Sequence, residues 1–194
     1  MNSVLSFCFK GDRNYVQGPD IVSKLLDCFS EDKISNIDLK FNGISSTNLN
    51  LIEGDSSGNA KVNIRLTLND EEKVMQLVEN GESINCRYEY DENKIIDKTE
   101  LDINHQQIFL KNKTGFTQCE NFVAMNKRLL QTLYQEEKGK WYFTRLEQKR
   151  MINNNSLITV KLIKNFNFRL TKSDILLGDE VIGSVYFTMA KGLI

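Results

Sequence analysis

The sequence contains no hydrophobic run long enough to cross a membrane. Its 194 residues are 40% hydrophobic, but no apolar stretch approaches the roughly 18 to 20 residues that a membrane-spanning helix needs. The apolar segment Met1–Phe9 is short, and Lys10, Asp12 and Arg13 follow it without a small-residue cleavage pattern. It is therefore predicted to be a first strand and not a secretion signal.

An excess of charge of one sign is also missing. Lysine and arginine number 25 and aspartate and glutamate number 26, which gives a net charge of −1. A surface built for phosphate backbones needs clustered positive charge, so we expect no nucleic-acid partner. The short basic groups around Lys138 and Lys149 are interpreted as solvated strand ends.

Paired cysteine motifs are absent as well. Cys8, Cys28, Cys86 and Cys119 are scattered and form no C-x-x-C pair. Zinc binding and dithiol chemistry therefore have little support, and we predict no metal and no other cofactor. Because disulfides are rare in reducing compartments, the simplest interpretation is a cytoplasmic protein with reduced thiols.

The strongest structural signal that is present lies in the segment Phe116–Phe143. Thr117 is followed three residues later by Glu120, which is the spacing of a capping box at a helix N-terminus. Apolar residues then recur at intervals of three and four. They are Phe122, Met125, Leu129 and Leu133, with Val123 and Leu130 beside them. This spacing predicts a helix with one buried face.

The same segment predicts where that helix ends and what its other side carries. Gly139 is expected to be a left-handed stop, and Trp141–Leu146 is predicted to be the next strand. The polar residues are expected mainly on the side away from the core. They are Asn121, Asn126, Arg128, Gln131, Thr132 and Gln135.

The first part of the chain is predicted to contain one further helix among strands. Val4–Lys10 is read as a strand with Leu5, Phe7 and Phe9 on one face. Ile21–Phe29 is a helix, with Pro19 in its first turn. Further strands are predicted at Ile34–Ile44, Thr47–Glu53, Lys61–Leu68 and Ser83–Tyr90. Glu71–Asn80 is read as a short helix or a loop.

Several short patterns occur twice in the same order. Phe7–Lys10 resembles Ile108–Lys111, and the residues before the two helices, Tyr15–Gln17 and Phe116–Gln118, match at the same offset. Two later matches follow at a similar offset. They are Val62-x-Ile64-x-Leu66 with Ile158-x-Val160-x-Leu162, and Gly81–Ile84 with Gly178–Val181. The order and spacing favour an internal duplication over chance.

The predicted fold class is α+β, a tandem duplication of a β-α-β-β-β unit. The first half spans residues 1–95 and the second 103–194, with the charged segment Asp91–Asp102 as the connection. One helix per half cannot cover two separate sheets. The economical arrangement is an antiparallel sheet wrapped around each apolar helix, with the halves joined at strand edges.

This order of elements resembles the hotdog fold, and its duplication resembles a double hotdog with two central helices. Leu176–Ile182 is similar to the Gly-Asp-x-hydrophobic start of a strand in hotdog dehydratases and thioesterases. Trp141–Thr144 resembles the corresponding strand of acyl-carrier dehydratases. The resemblance implies an acyl thioester as ligand, carried by coenzyme A or an acyl-carrier protein. A homo-oligomer is compatible with it.

The histidine of hotdog dehydratases has no counterpart here. The loops before the two helices, residues 12–18 and 113–119, contain none. The only histidine, His105, lies before a strand, and Asp102-Ile-Asn-His105 has the wrong spacing for the hydratase pattern. We interpret His105 as an exposed polar residue, so histidine-based dehydration is not expected.

Some hotdog thioesterases work with a carboxylate and a helix N-terminus, and this chain has those groups. Free N–H groups at the helix start can polarise a thioester carbonyl while a carboxylate attacks or activates water. Asp20 and Glu120 are the candidate catalytic acids, each with helix stabilisation as the alternative role. Candidate substrate-binding residues at the same two places are Gln17, Gly18, Gln118 and Cys119. Cys119 lacks a base that would make it a nucleophile.

The sequence thus leads to an acyl-thioester-binding protein, with thioester hydrolysis or a related acyl reaction as its activity. A non-catalytic binding or interaction module of the same fold remains open because the histidines are missing. A duplicated α+β domain unrelated to hotdogs also remains open. A sliding clamp is not expected, because clamp repeats are shorter and their inner surfaces are basic.

Overall fold

A computed structural model describes residues 2–55 and 58–190; residues 1, 56, 57 and 191–194 of the predicted halves lie outside that description. The chain divides into two compact units. The first comprises residues up to Asp91 together with Gln148–Met151, and the second comprises the remainder. Both units consist mainly of antiparallel sheet with few helices.

The first unit contains seven strands and one helix among its described residues. In chain order these are β1 (Asn2–Leu5), β2 (Phe9–Lys10), α1 (Gly18–Asp27), β3 (Ile34–Phe41), β4 (Thr47–Glu53), β5 (Val62–Leu68), β6 (Glu71–Ser83) and β7 (Arg87–Tyr88). The main sheet has the order β1-β4-β6-β5-β3. The predicted alternation along β5 is confirmed, since Val62, Ile64, Leu66 and Leu68 are buried.

The prediction of a helix or loop at Glu71–Asn80 is wrong. This segment is most of β6, a strand of 13 residues that pairs with β4 on one side and β5 on the other. Asn69 and Asp70 both have positive φ, 49° and 68°. Two such residues in succession form the tight turn that matches the twist of a hairpin. The turn chemistry, and not the charged start of β6, decides the structure here.

The predicted first strand is interrupted. Residues 6–8 are not in a strand, and β1 and β2 are separate short elements. The alternation predicted for Leu5, Phe7 and Phe9 fails at its end, because Phe9 is half-buried while Lys10 is buried. The strand predicted at Ser83–Tyr90 is likewise reduced to β7, which pairs with β2 in parallel.

Two cysteines of the first unit are joined, which corrects the prediction of reduced thiols. Cys8 and Cys86 form a disulfide with their Cα atoms 4.8 Å apart. Cys28 and Cys119 are not part of a disulfide among the described residues. The bond closes a covalent loop between residues that lie immediately before β2 and β7. The spacing of 78 residues is not one that a sequence motif reveals.

The second unit has six strands and two helices among its described residues, although Gln148–Arg150, at the end of one of these strands, are assigned to the first unit. In chain order these are α2 (Asn93–Ile96), β8 (Thr99–Asp102), β9 (Gln107–Leu110), α3 (Gln118–Leu133), β10 (Lys140–Arg150), β11 (Thr159–Asn165), β12 (Thr171–Leu177) and β13 (Glu180–Ala190). The strand order is β10-β13-β12-β11-β9-β8. The segment predicted as a connection, Asp91–Asp102, instead contains α2 and β8.

Helix α3 lies against β9, β11 and β13. The predicted capping box is confirmed, with the Thr117 side chain accepting from the Glu120 N–H and the Glu120 carboxylate accepting from the Thr117 N–H. The predicted stop at Gly139 is wrong. The helix ends at Leu133, and Gly139 does not have positive φ.

In each unit a strand and a helix are followed by four strands of the larger sheet, with the two-residue strand β7 as an addition in the first unit. The order of these strands within the sheet differs between the units. In the second unit the strand after the helix, β10, neighbours the last strand, β13. In the first unit the strand after the helix, β3, pairs with β5, and β6 lies beyond it. The match of Val62–Leu66 with Ile158–Leu162 therefore compares β5 with β11, strands at different sheet positions.

Among the described residues, none of the three helices is long and apolar enough to cross a membrane.

Gly139 is predicted to be required for close packing. A Cβ atom at this position would come within 2.6 Å of Met189 Cγ and 2.8 Å of the Ala190 carbonyl oxygen. We expect Gly139→Ala to lower the free energy of unfolding by about 1–3 kcal/mol, because backbone must move to accept it. Urea unfolding measures the change. Gly43→Ala, where a Cβ would meet nothing within 4 Å, is the control, and equal losses in both variants would contradict the prediction.

Candidate functional site

The start of α1 has no side-chain cap from its own N-cap residue. Gln17 is the N-cap residue, and its side chain makes no capping hydrogen bond. The Gln17 amide oxygen, turned toward Arg13, instead accepts hydrogen bonds from the guanidinium, at 2.6 Å from Nη1 and 3.1 Å from Nε. Pro19 in the first turn has no N–H to satisfy. The Gly18 N–H lies at the positive end of the helix, and the Gln17 side chain does not cap this helix end.

Asp20 lies in this first turn and is held by two side chains. The Lys10 ammonium donates to Asp20 Oδ1 at 2.9 Å, and the Tyr88 hydroxyl donates to Asp20 Oδ2 at 3.1 Å. These donors come from β2 and β7, the strands that the parallel pair brings together. The side chain of Asp20 is 17% exposed, so part of it reaches solvent.

Lys10 is the unusual member of this group. Only 1% of its side chain is exposed, and its Nζ atom lies 4.1 Å from the centre of the Tyr90 ring and 5.6 Å from that of Tyr88. An ammonium is buried only at a cost of several kcal/mol unless a partner compensates. The Asp20 carboxylate and the ring of Tyr90 provide that compensation.

Tyr88 is affected by the same surroundings. Burial raises the pKa of its hydroxyl, and the nearby negative charge of Asp20 raises it further. The hydroxyl thus stays protonated and able to donate to the carboxylate. We name Lys10, Asp20, Tyr88 and Tyr90 the α1 cluster. The sequence predicted only Asp20, because no periodicity marks a buried lysine beyond a broken strand.

The start of α3 is satisfied by the protein itself. Glu120 Oε2 accepts from the Thr117 N–H and from the Thr117 hydroxyl, both at 2.9 Å. The Gln118 N–H donates to Asn154 Oδ1 at 3.1 Å. These contacts match helix stabilisation, the alternative role that the sequence suggested for Glu120. They also occupy the N–H groups of Thr117 and Gln118 at the helix start.

Gln118 also fastens a loop to the helix. Its Nε2 donates to the carbonyl oxygens of Asn153 at 2.6 Å and Ser156 at 3.1 Å. The side chain is buried, and its Oε1 atom has no hydrogen-bond partner among the described residues. Cys119, the next residue, is buried and is not part of the disulfide. Of the four predicted binding residues, Gln17 and Gly18 lie at the start of α1, and the other two lie at the start of α3.

Two buried asparagines follow on α3, where the sequence predicted an outward side. Asn121 Oδ1 accepts from the Thr114 hydroxyl at 2.6 Å, but its Nδ2 has no partner among the described residues. Asn126 is fully buried, and neither side-chain polar atom has one. Asn126 lies four residues from Phe122 and from Leu130, so helical spacing places it on the apolar stripe. That spacing is the signal that the sequence analysis missed.

His105 belongs to neither helix start. It lies in the turn between β8 and β9, with 70% of its side chain exposed, and its Nδ1 is 2.7 Å from Asp102 Oδ2. Hydrogen bonds from His105 lower the pKa of Asp102. The interpretation of His105 as an exposed polar residue is confirmed. Among the described residues no group of three His, Cys, Asp or Glu side chains is placed to hold a metal ion.

The fold is similar to those of solved hotdog proteins. The dehydratase domain of the CurJ module of the curacin polyketide synthase is 12% identical, over 98% of this chain and 91% of that one, with a TM-score of 0.52. The pyran synthase domain from module nine of the sorangicin pathway is 8% identical, over 98% and 92%, with a TM-score of 0.52.

An acyl-CoA thioesterase II, TesB2 from Mycobacterium marinum, is 11% identical over 92% of this chain and 91% of its own, with a TM-score of 0.44. No protein-family model matches the sequence, and no curated protein sequence matches it. The chain has a hotdog fold. The structural similarity to the two polyketide-pathway domains, at identities of 12% and 8%, shows the fold alone. The activity has to be argued from the residues.

The buried side chain of Asn126 is predicted to lower the stability of the protein. A buried amide without partners loses its hydration, which costs about 1–3 kcal/mol, so Asn126→Leu is expected to raise the free energy of unfolding by about 1 kcal/mol or more. Chemical denaturation measures it. Gln131→Leu, at an exposed position of the same helix, is expected to change stability by less than about 0.5 kcal/mol. A loss of stability in Asn126→Leu would show that this amide has a structural partner.

Proposed function

Starting from the hotdog fold of the chain, we propose that this protein binds an acyl thioester carried by coenzyme A or by an acyl-carrier protein. Its activity on that ligand is thioester hydrolysis or a related acyl reaction. The observation that supports this most directly is Asp20, an acid with a partly exposed side chain that is fixed at a helix start without a cap from the N-cap side chain.

Asp20 is a better candidate for the acid-base group than Glu120. Glu120 is committed to the capping box, where one oxygen already accepts from two donors of Thr117. Asp20 is held by an ammonium and a hydroxyl that fix its orientation, and part of it faces solvent. A carboxylate oriented in this way can accept a proton from a water molecule that attacks the thioester carbonyl.

The start of α1 supplies the second requirement, a donor for the carbonyl oxygen. The Gly18 N–H lies at the positive end of the helix, where developing negative charge on oxygen is stabilised. The Gln17 side chain stands beside it. Both residues are proposed as substrate contacts. Gln118 and Cys119 keep this proposed role only if the loop at Asn153–Ser156 leaves the start of α3.

The double-hotdog arrangement is also proposed, with halves at residues 1–95 and 103–194. Support comes from the shared order of a strand, a helix and four strands of the larger sheet in each unit. The different order of the last two strands in the first unit requires that this half has diverged. A homo-oligomer is compatible with the proposal. The cytoplasmic location stays a prediction to be tested against the Cys8–Cys86 disulfide, since reducing compartments disfavour such bonds.

A non-catalytic binding module is the second candidate. The internal contacts of Gln118, Glu120 and Asp20 favour it, because each predicted functional side chain already has protein partners. In such a module the same helix starts would serve packing and ligand affinity without turnover.

A panel of acyl thioesters separates the two candidates. Acetyl, octanoyl and palmitoyl esters of coenzyme A and of pantetheine are incubated with the full chain, and released acid is quantified by chromatography. Hydrolysis supports the enzyme. A thermal shift without hydrolysis supports the binding module. Neither hydrolysis nor a thermal shift from any ester would reject acyl-thioester binding altogether.

If Asp20 is the acid-base group, Asp20→Asn is expected to lower turnover by about 10²- to 10⁴-fold. Asp27→Asn, at an exposed acid of the same helix, should retain turnover. Because Asp20→Asn leaves the Lys10 ammonium buried without its carboxylate, folding is checked by circular dichroism. Lys10→Met/Asp20→Asn removes both charges and should also be folded and inactive. Full turnover in either folded variant would exclude this role for Asp20.

A further inference from the structure

We propose that the Cys8–Cys86 disulfide is a site of thiol–disulfide exchange whose reduction opens the α1 cluster. In the oxidised protein the bond holds β7 against β2, and with it Tyr88 and Tyr90 against Lys10 and Asp20. Its effect on turnover rests on the function proposed above. The opening itself does not.

The disulfide is adjacent to the strands that carry the cluster. Phe9 pairs with Arg87 and Lys10 pairs with Tyr88 in parallel register, so each cysteine directly precedes its strand. The Phe9 N–H donates to the Cys86 carbonyl oxygen at 3.0 Å. Any movement of Cys86 away from Cys8 thus displaces Tyr88, two residues farther along.

The noncovalent contacts of β7 are made by a short strand with exposed residues. Each strand of the pair has two residues, and isolated pairs of strands are marginally stable in water. Tyr88 itself is 43% exposed. The Arg87 guanidinium donates hydrogen bonds to the carbonyl oxygens of Gly11 and Arg13 and to Asn14 Oδ1. Arg87 is exposed, so water competes for these hydrogen bonds. The disulfide adds a covalent constraint to these contacts.

The solvent accessibility of the Lys10 ammonium depends on the position of β7. The rings of Tyr88 and Tyr90 lie beside its ammonium, and its side chain is almost fully buried. When β7 leaves, the ammonium gains solvent and Asp20 loses the hydroxyl that fixes Oδ2. The cluster therefore changes both the accessibility of an amine and the orientation of the proposed acid-base group.

The substrates of the exchange are thiols. A thiolate attacks the sulfur of Cys86, an exposed residue, forms a mixed disulfide and releases Cys8 as a thiolate, which takes a proton. A second thiol then attacks the mixed disulfide. In total two thiols become one disulfide while Cys8 and Cys86 gain two electrons and two protons. Cys28 is a poor internal competitor, because burial raises the pKa of its thiol and Asp27 raises it further.

The test is lysine footprinting of the full chain. Oxidised protein and protein reduced with tris(2-carboxyethyl)phosphine are treated briefly with an amine-acetylating reagent, and each lysine is quantified by peptide mass spectrometry. We expect acetylation of Lys10 to be at least about tenfold faster after reduction, because labelling of a buried amine requires local opening. Lys24, which is exposed on α1, should react equally fast in both samples.

Variants link the change to this one bond. Cys8→Ser/Cys86→Ser should label rapidly at Lys10 with or without reductant, and Cys28→Ser should behave as the wild type. If the double variant fails to fold, the reduced wild type still decides the matter. The proposal is overturned if Lys10 stays protected after mass spectrometry shows the bond cleaved. It is also overturned if air-oxidised protein contains no Cys8–Cys86 bond.

Turnover is measured on the same samples so that the two proposals are judged separately. Faster labelling of Lys10 without hydrolysis of any thioester supports the exchange site and rejects the catalytic function. Hydrolysis accompanied by unchanged, slow labelling after reduction supports the enzyme and rejects the exchange site.

Discussion

A lysine ammonium buried beneath two tyrosines constrains the first unit more than any other group in it. Removing such an ion from water costs several kcal/mol, so Lys10 can occupy this position only if Asp20 lies within hydrogen-bond distance, as it does at 2.9 Å. That requirement fixes the start of α1 relative to β2, and the Tyr88 hydroxyl adds β7. Three elements distant in sequence are thereby arranged around one carboxylate. The Asp20 side chain remains partly exposed, and this exposure is the reason for assigning a chemical role to it.

The start of α3 solves the same problem of unsatisfied backbone donors in a different way. Thr117, Glu120 and Asn154 satisfy the helix end with polar side chains, and no buried cation is involved. The uncompensated groups there lie deeper, at Asn121 and Asn126. One helix thus begins with an acid that is paired with a buried lysine and is partly exposed, while the other begins with a set of capping contacts. This contrast is the reason for assigning the proposed chemistry to α1.

The sequence was sufficient for those features that depend on local pattern. The capping box of Thr117 and Glu120, the buried face around Phe122 and Met125, and the alternation along β5 were all predicted from spacing alone. The hotdog resemblance rested on the order of such elements, and the similarity to solved hotdog structures supports it.

Features that depend on distant residues could not be predicted in the same way. The charged residues Glu71–Lys73 obscured β6, which is stabilised by pairing on both sides. Lys10 is buried only because Asp20 and Tyr90 meet it from other elements. The Cys8–Cys86 pairing likewise has no local signature. The burial of Asn126 is different, because its spacing of four residues from Phe122 and from Leu130 indicates the buried face of the helix. The prediction that Asn126 lies on the outward side was therefore wrong.

The disulfide between Cys8 and Cys86 also determines how the first unit bears mechanical load. Tension that enters the chain at Cys8 is transmitted directly to Cys86 through the covalent bond, because the two residues are joined across a separation of 78. The polypeptide between them, about 260 Å when fully extended, remains slack and its strands are shielded from shear. In the oxidised state, stretching the chain would therefore leave β3, β5 and most of the sheet unstrained, whereas the reduced chain would release that hidden length.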